Sequence, residues 1–291
     1  MNWDFIKSSP QYLLPQHLLS AWMYRAARWH WTPFKNTLIR LFVRHYRVDM
    51  SIAEKRETGS YHSFNEFFTR ALQPSSRPVD QTQGGVVSPV DGSVSQFGMI
   101  VDDHLVQAKG KLFSLDALLA NDRATIRSFS AGSFATIYLS PRDYHRIHLP
   151  VDATLRKMTY VPGDLFSVNE STSKSVDQLF ARNERVICLF DTEFGSMACI
   201  LVGAIFVGGM ETVWHGEISP SLNREIQNWV YEDPGSIKLN YEKGEELGRF
   251  NMGSTVILLF EKNKICWDEV VSKNKKLEMG QLIAAAIDGH V

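Results

Sequence analysis

Phe250-Asn251-Met252-Gly253-Ser254-Thr255-Val256-Ile257-Leu258-Leu259-Phe260 divides into a turn and a strand. The Gly-Ser-Thr step punctuates. The apolar run Val256–Phe260, rich in β-branched and aromatic residues, reads as a buried strand. The same texture extends back to about residue 84. Val86–Val94, Ser133–Leu139 and Ala153–Tyr160 partly alternate and are bounded by Gly and Pro, so they read as further short strands. Phe194–Met210 is the longest uncharged run, 17 residues with four glycines. A membrane span needs about 20 apolar residues, so this run also reads as buried strands. Ser114–Ala120 is expected to be a short helix capped by Ser114, and Leu222–Val230 another. Residues 10–50 read as helices, with Thr32 as N-cap and Pro33 at the first helical position of one of them. The fold class is therefore α+β, with N-terminal helices followed by a β-rich region.

Charge is balanced across the 291 residues, 31 Lys+Arg against 32 Asp+Glu. That argues against a nucleic-acid partner, which usually draws a basic excess. Cys188, Cys199 and Cys266 form neither a disulfide framework nor a thiolate zinc site, and they read as small buried hydrophobes. No metal site is expected. The balance hides a basic start. Lys7, Arg25, Arg28, Lys35, Arg40, Arg44 and Arg47 face only Asp4 and Asp49 within residues 1–50, and Trp3, Trp22, Trp29 and Trp31 fall there too. This start has no signal-peptide layout, so the chain is expected to stay on the cytoplasmic side. In the helix after Pro33, Asn36, Arg40, Arg44 and Arg47 share one face, and Phe34, Leu38, Leu41, Phe42 and His45 the other. Such a helix suits packing on the protein's own core. It suits a headgroup layer equally, since Trp and Arg are favoured there.

Nucleotide-binding glycine loops, H-E-x-x-H and the G-x-S-x-G elbow are all missing from the sequence, which withdraws support from nucleotide cofactors and common hydrolase folds. Three segments can carry chemistry. They are Ser88-Pro89-Val90-Asp91-Gly92-Ser93, Pro141–Pro150 with His145 and His148, and Gly253-Ser254-Thr255. Each alone has an ordinary reading: a hairpin turn, solvated loop histidines, a turn entering a strand. Together they supply an acid, a histidine and a serine. Such a constellation is defined by geometry and not by chain order, and a Ser-His-Asp hydrolase that keeps its serine is one reading.

The combination is more specific. The chain resembles the phosphatidylserine decarboxylase proenzymes of bacterial and mitochondrial type over nearly its whole length. The landmarks are Phe64-Asn65-Glu66-Phe67-Phe68-Thr69-Arg70 with Arg77-Pro78, Pro89-Val90-Asp91-Gly92, Pro141–Pro150, Gly163–Asn169, Phe206-Val207-Gly208-Gly209, Lys243–Phe250 and Gly253-Ser254-Thr255. Met252 stands where these enzymes most often carry Leu, a change of little volume. The resemblance implies self-cleavage between Gly253 and Ser254, giving a large chain (1–253) and a small chain (254–291). Ser254 would become a covalent pyruvoyl group, with His148 as base and Asp91 orienting it. The pyruvoyl carbonyl would take phosphatidylserine as a Schiff base and act as an electron sink, with His145 the candidate proton donor, releasing phosphatidylethanolamine. The resemblance also implies a barrel-like core, a homodimer of the cleaved pair, and peripheral attachment to anionic lipid on the cytoplasmic face of a bacterial membrane. Residues 1–60 would be the membrane-associating region and 61–291 the catalytic domain.

Overall fold

The computed structural model describes residues 9–12, 14–108, 110–205, 209–218, 225–232 and 239–287. Trp3, Asp4 and Lys7 lie outside them, as do residues 206–208. Eight strands position the site: β1 (Gly92–Met99), β2 (Ser133–Leu139), β3 (Arg146–His148), β4 (Ala153–Val161), β5 (Arg185–Thr192), β6 (Gly195–Val202), β7 (Glu246–Phe250) and β8 (Ser254–Phe260). The main sheet runs Gln227–Val230, β4, β5, β6, β8, β2, β1, Lys276–Leu277, with Asn240–Tyr241 also pairing with β4. The path does not return on itself. The barrel-like enclosure expected from the resemblance is thus an open antiparallel sheet among the described residues, and the fold is α+β.

Strand β8 lies between β6 and β2, antiparallel to both, from Ser254 opposite Leu139 to Phe260 opposite Ser133. Successive side chains on a strand point to opposite faces. Val256, Leu258 and Phe260 enter one core with Met158 and Cys199. Ile257 and Leu259 enter a second core with Phe113 and Phe180. Both faces are covered, which is why the sequence there is continuously apolar instead of alternating.

A smaller sheet, ordered Gly216–Ile218, Met210–Thr212, β7, β3, carries His148, with His145 directly before it in the chain. The expected strand Val86–Val94 is two strands. Gly85–Val87 belongs to a three-stranded sheet, β1 belongs to the main one, and Ser88–Asp91 is the corner between them. The Asp91-Gly92 pair is therefore a change of sheet and not a hairpin. A Cβ at Gly92 would lie 2.7 Å from the Tyr138 carbonyl oxygen, so this close approach of β1 to β2 requires glycine.

Helix α1 spans Gln16–Ala27, α2 Thr32–Tyr46 and α3 Phe64–Phe68. Trp31 and not Thr32 occupies the N-cap of α2, with Pro33 in its first turn. Ser114 caps Leu115–Leu118 as expected, its hydroxyl accepting from Ala117 N at 3.0 Å. The expected helix Leu222–Val230 is overturned where it is described: Gln227–Val230 is an edge strand on β4, and residues 221–224 lie outside the described set. Cys188 and Cys199 are buried, whereas Cys266 is exposed.

The α2 side chains divide between core and solvent. Ile39 is fully buried, and Leu38, Phe42 and Val43 pack with Phe64, Phe67, Phe68 and Met252. For Leu38 and Phe42 the core-packed reading is the correct one. Leu41, Trp22, Trp29 and Trp31 are 54–67% exposed, beside the exposed Arg40, Arg44 and Arg47. No helix among the described residues is long and apolar enough to cross a membrane.

Candidate active site

Strand pairing gathers the three chemical segments. His148 N donates to Pro89 O at 2.9 Å, so the Asp91 corner lies against β3. Phe250 N donates to His145 O at 3.0 Å, which sets the end of β7 beside the histidine loop. Ser254 pairs with Leu139, the residue before the Ser140–His145 loop. The Gly253–Ser254 bond thus sits at the head of the central strand, with Ser254 opposite the strand end from which the chain runs on to His145 and His148. Gly253 has φ +28°, and a Cβ there would meet nothing within 4 Å. Its backbone angle, not lack of space, is what favours glycine.

His148 is 9% exposed. Its Nδ1 lies 2.8 Å from Gly244 O and its Nε2 3.0 Å from the Tyr144 hydroxyl. A carbonyl only accepts, so Nδ1 carries the proton and Nε2 is the basic nitrogen, accepting from Tyr144. Burial pushes the His148 pKa below its ordinary value, partly countered by the Gly244 bond. Burial pushes the Tyr144 phenol well up, so it remains a donor.

His145 is fully buried and stacks on Phe68, with ring centroids 4.0 Å apart. Among the described residues neither ring nitrogen has a partner of good hydrogen-bond geometry; the nearby Pro141 and Ser140 backbone favours the charged form less than burial and Arg70 oppose it. Burial, then the Arg70 charge, hold its pKa down at about 3. His145 is neutral around pH 7.

Asp91 does not reach His148 by a hydrogen bond among the described residues. Its carboxylate accepts from Arg77 Nε at 2.8 Å, Arg77 Nη2 at 2.7 Å and Met279 N at 2.8 Å.

Several contributors were not singled out by sequence reasoning, although their motifs were noted. The segment 64–70 buttresses the site. Asn65 Nδ2 donates to Asn251 Oδ1 at 3.3 Å, and Arg70 Nη2 donates to Arg142 O at 3.1 Å. Arg146 Nε donates to Thr69 O at 3.0 Å, and its Nη1 to Glu246 Oε2 at 2.8 Å. Ser63 caps this short helix, its hydroxyl accepting from Glu66 N, so the S-x-x-E spacing was a usable signal. Gly209 of the Phe206–Gly209 landmark accepts from Asn251 N; its other three residues lie outside the described set. Among the described residues no cluster of His, Cys, Asp and Glu has the makings of a metal site.

These elements define an α+β protein with two buried histidines on the segment that leads from β2 into β3, and a Gly-Ser bond at the head of its central strand. A family model described as phosphatidylserine decarboxylase matches residues 64–285, and a second, described as PSD, matches residues 6–47. The phosphatidylserine decarboxylase proenzyme of Azotobacter vinelandii is 50% identical over 95% of this chain and 96% of its own. The proteins of the same name from Methylococcus capsulatus and Haemophilus influenzae are 51% and 47% identical, covering 94% and 97% of both chains. The chain belongs to the phosphatidylserine decarboxylase family.

Proposed function

We propose that this chain carries the activity in its relatives' name: it is a proenzyme that cuts itself between Gly253 and Ser254 and then decarboxylates phosphatidylserine to phosphatidylethanolamine. The observation that carries the reading is the Gly253–Ser254 bond at the head of β8, with Gly253 at a positive φ and Ser254 paired with Leu139, from which the chain runs through the His145 loop into the β3 strand of His148. A serine hydroxyl is a weak nucleophile and needs a base. His148 Nε2, released by Tyr144, takes the Ser254 Oγ proton as Oγ attacks the Gly253 carbonyl carbon. The peptide C–N bond breaks and an ester forms. Loss of the Ser254 α-proton expels the Gly253 carboxylate. Water then replaces the nitrogen, releasing ammonia and leaving a pyruvoyl group at position 254. The residues present fit that group: Ser254, its precursor, opens the central strand directly after Gly253, whose φ is +28°. Its carbonyl supplies the electrophile and electron sink for loss of carbon dioxide.

Asp91 holds negative charge near the base. His145, neutral and shielded, relays the proton that returns to the former α-carbon. The exposed Trp22, Trp29, Trp31 and Leu41, with Arg40, Arg44 and Arg47, form the face that meets anionic lipid, on the cytoplasmic side of the membrane. The cleaved pair assembles as a homodimer. Intact-mass measurement tests the core of this reading. Wild-type protein should give a large chain ending at Gly253 and a small chain carrying pyruvoyl at position 254. Ser254→Ala should give one full-length, inactive chain. A single unmodified wild-type chain with hydrolase activity would refute it.

A further inference from the structure

The Asp91 carboxylate is gripped by groups that the scheme above does not use. Arg77 meets it fork to fork, Nε on Oδ1 at 2.8 Å and Nη2 on Oδ2 at 2.7 Å. The third guanidinium nitrogen, Nη1, donates to Ser76 O at 2.8 Å, so the whole fork is fixed. The side chains are 12% and 10% exposed. The Asp91 bond holds the Arg77 pKa above its ordinary value. A shielded, bidentate Arg–carboxylate pair fixes geometry as well as charge.

The second grip comes from beyond the scissile bond. Met279 N donates to the same Oδ1 at 2.8 Å. Its segment is sewn to the Asp91 corner, with Ser88 N donating to Gln281 O at 2.7 Å and Gly280 N to Ser88 O at 2.9 Å. The Arg77 segment joins there too, through Asp80 N to Gly280 O at 2.9 Å. Glu278 Oε1, at 3.8 Å from Arg77 Nη2, is largely exposed and adds little.

We propose that Arg77 is a positioning residue for self-cleavage: its fork fixes the Asp91 carboxylate beside the β3 segment that carries His148. Its fork reaches the chemistry through Asp91, the carboxylate it holds. This rests on the reading that Asp91 assists His148. The small-chain segment 279–281 completes the same seat, so the C-terminal part of the precursor must be folded before Asp91 is in place.

The test is the rate of chain splitting in purified precursor, followed by denaturing electrophoresis alongside thermal melts. Arg77→Gln should slow splitting on the order of 10²-fold, the loss that a misplacement of about 1 Å brings. Arg77→Lys keeps the charge without the fork and should fall between. Arg77→Gln combined with Asp91→Asn should split no more slowly than Asp91→Asn alone, since coupled residues are non-additive. If Asp91→Asn stops splitting altogether, Asp91→Glu serves as the background. If Arg77→Gln does not fold, Arg77→Lys carries the same comparison. Wild-type splitting in the folded Arg77 variant, with Asp91→Asn impaired, would overturn the role of Arg77 and leave the reading of Asp91 standing. Additive losses would also overturn it, by making Arg77 a general structural residue. Unimpaired splitting in Asp91→Asn would instead overturn the reading on which the proposal rests.

Discussion

Lowering the pH from 7 to 5 should destabilise the uncleaved Ser254→Ala chain through His145 by about 2 kcal/mol. The folded-state pKa is about 3 against an ordinary 6.5. The depression comes from burial first and from Arg70 second. Below about pH 6.5 the unfolded chain binds a proton on this residue, and the folded chain does not until about pH 3. Stability rises with pH wherever the unfolded state holds more protons. The contribution is thus complete above about 6.5 and is lost as the pH falls toward 3. Each unit is worth about 1.4 kcal/mol, and the step from pH 7 to pH 5 captures close to one and a half of them. Other groups titrate in this window. His148, also depressed by burial, adds in the same direction, and Asp143, raised by burial, opposes. Comparison with His145→Gln in the same Ser254→Ala background cancels both. Denaturant unfolding at the two pH values should show the parent losing about 2 kcal/mol more than the His145→Gln chain. Equal losses in the two chains would refute the account of His145 as a shielded neutral ring.

His148→Ala should block splitting or slow it severely, whereas His145→Ala should split at least in part yet decarboxylate poorly; electrophoresis and product assay separate the two. Tyr144→Phe should still split, at a rate equal to or above wild type, because the phenol occupies Nε2 in the precursor and removing it frees the base; failure to split would make the phenol a proton relay. Serine at Trp22, Trp29, Trp31 and Leu41 together should reduce flotation with vesicles containing phosphatidylglycerol without lowering the melting temperature. Neutralising Arg40, Arg44 and Arg47 should weaken the same binding by about 1 kcal/mol per residue at low salt; unchanged flotation in both would remove this face as the anchor.

The central strand was readable because its chemistry is monotonous. Five apolar residues after Gly-Ser-Thr admit few other states, and the histidine and serine segments stood out by motif. Three matters needed the third dimension. The α2 sequence does not say which apolar residues meet Phe64 and Phe67 and which meet solvent, since Leu38 and Leu41 are alike as residues and lie one turn apart. Asp91-Gly92 has the local chemistry of a hairpin turn, and only the pairing of its flanks with two different sheets shows a corner. The partner of Asp91 is 14 residues away in sequence on one side and 188 on the other, a separation that no local pattern encodes. Residues 227–230 sit in sequence that locally suggests a helix, while the edge of β4 pairs them as a strand.

Under the proposed cleavage, the position of the Gly253–Ser254 bond also explains how the two parts would stay together. Val256 to Phe260 are at most 1% exposed, and full burial of each such side chain contributes about 1.5–3 kcal/mol. Strand β8 therefore brings roughly 10 kcal/mol of burial before its two ladders of hydrogen bonds are counted. Beyond it, Lys276–Leu277 pairs with β1, and Leu282–Ala286 lies between Gly85–Val87 and Ile265–Trp267. None of these contacts depends on the bond at 253–254. On the other side, Asn251 N is held by Gly209 O and Phe250 N by His145 O, so the end of the large chain has its own anchorage. A cut at the strand head removes one covalent link and almost no packing, whereas a cut inside β8 would divide the ladder and both cores. The proposed cut therefore consumes a bond on which neither of the two cores depends.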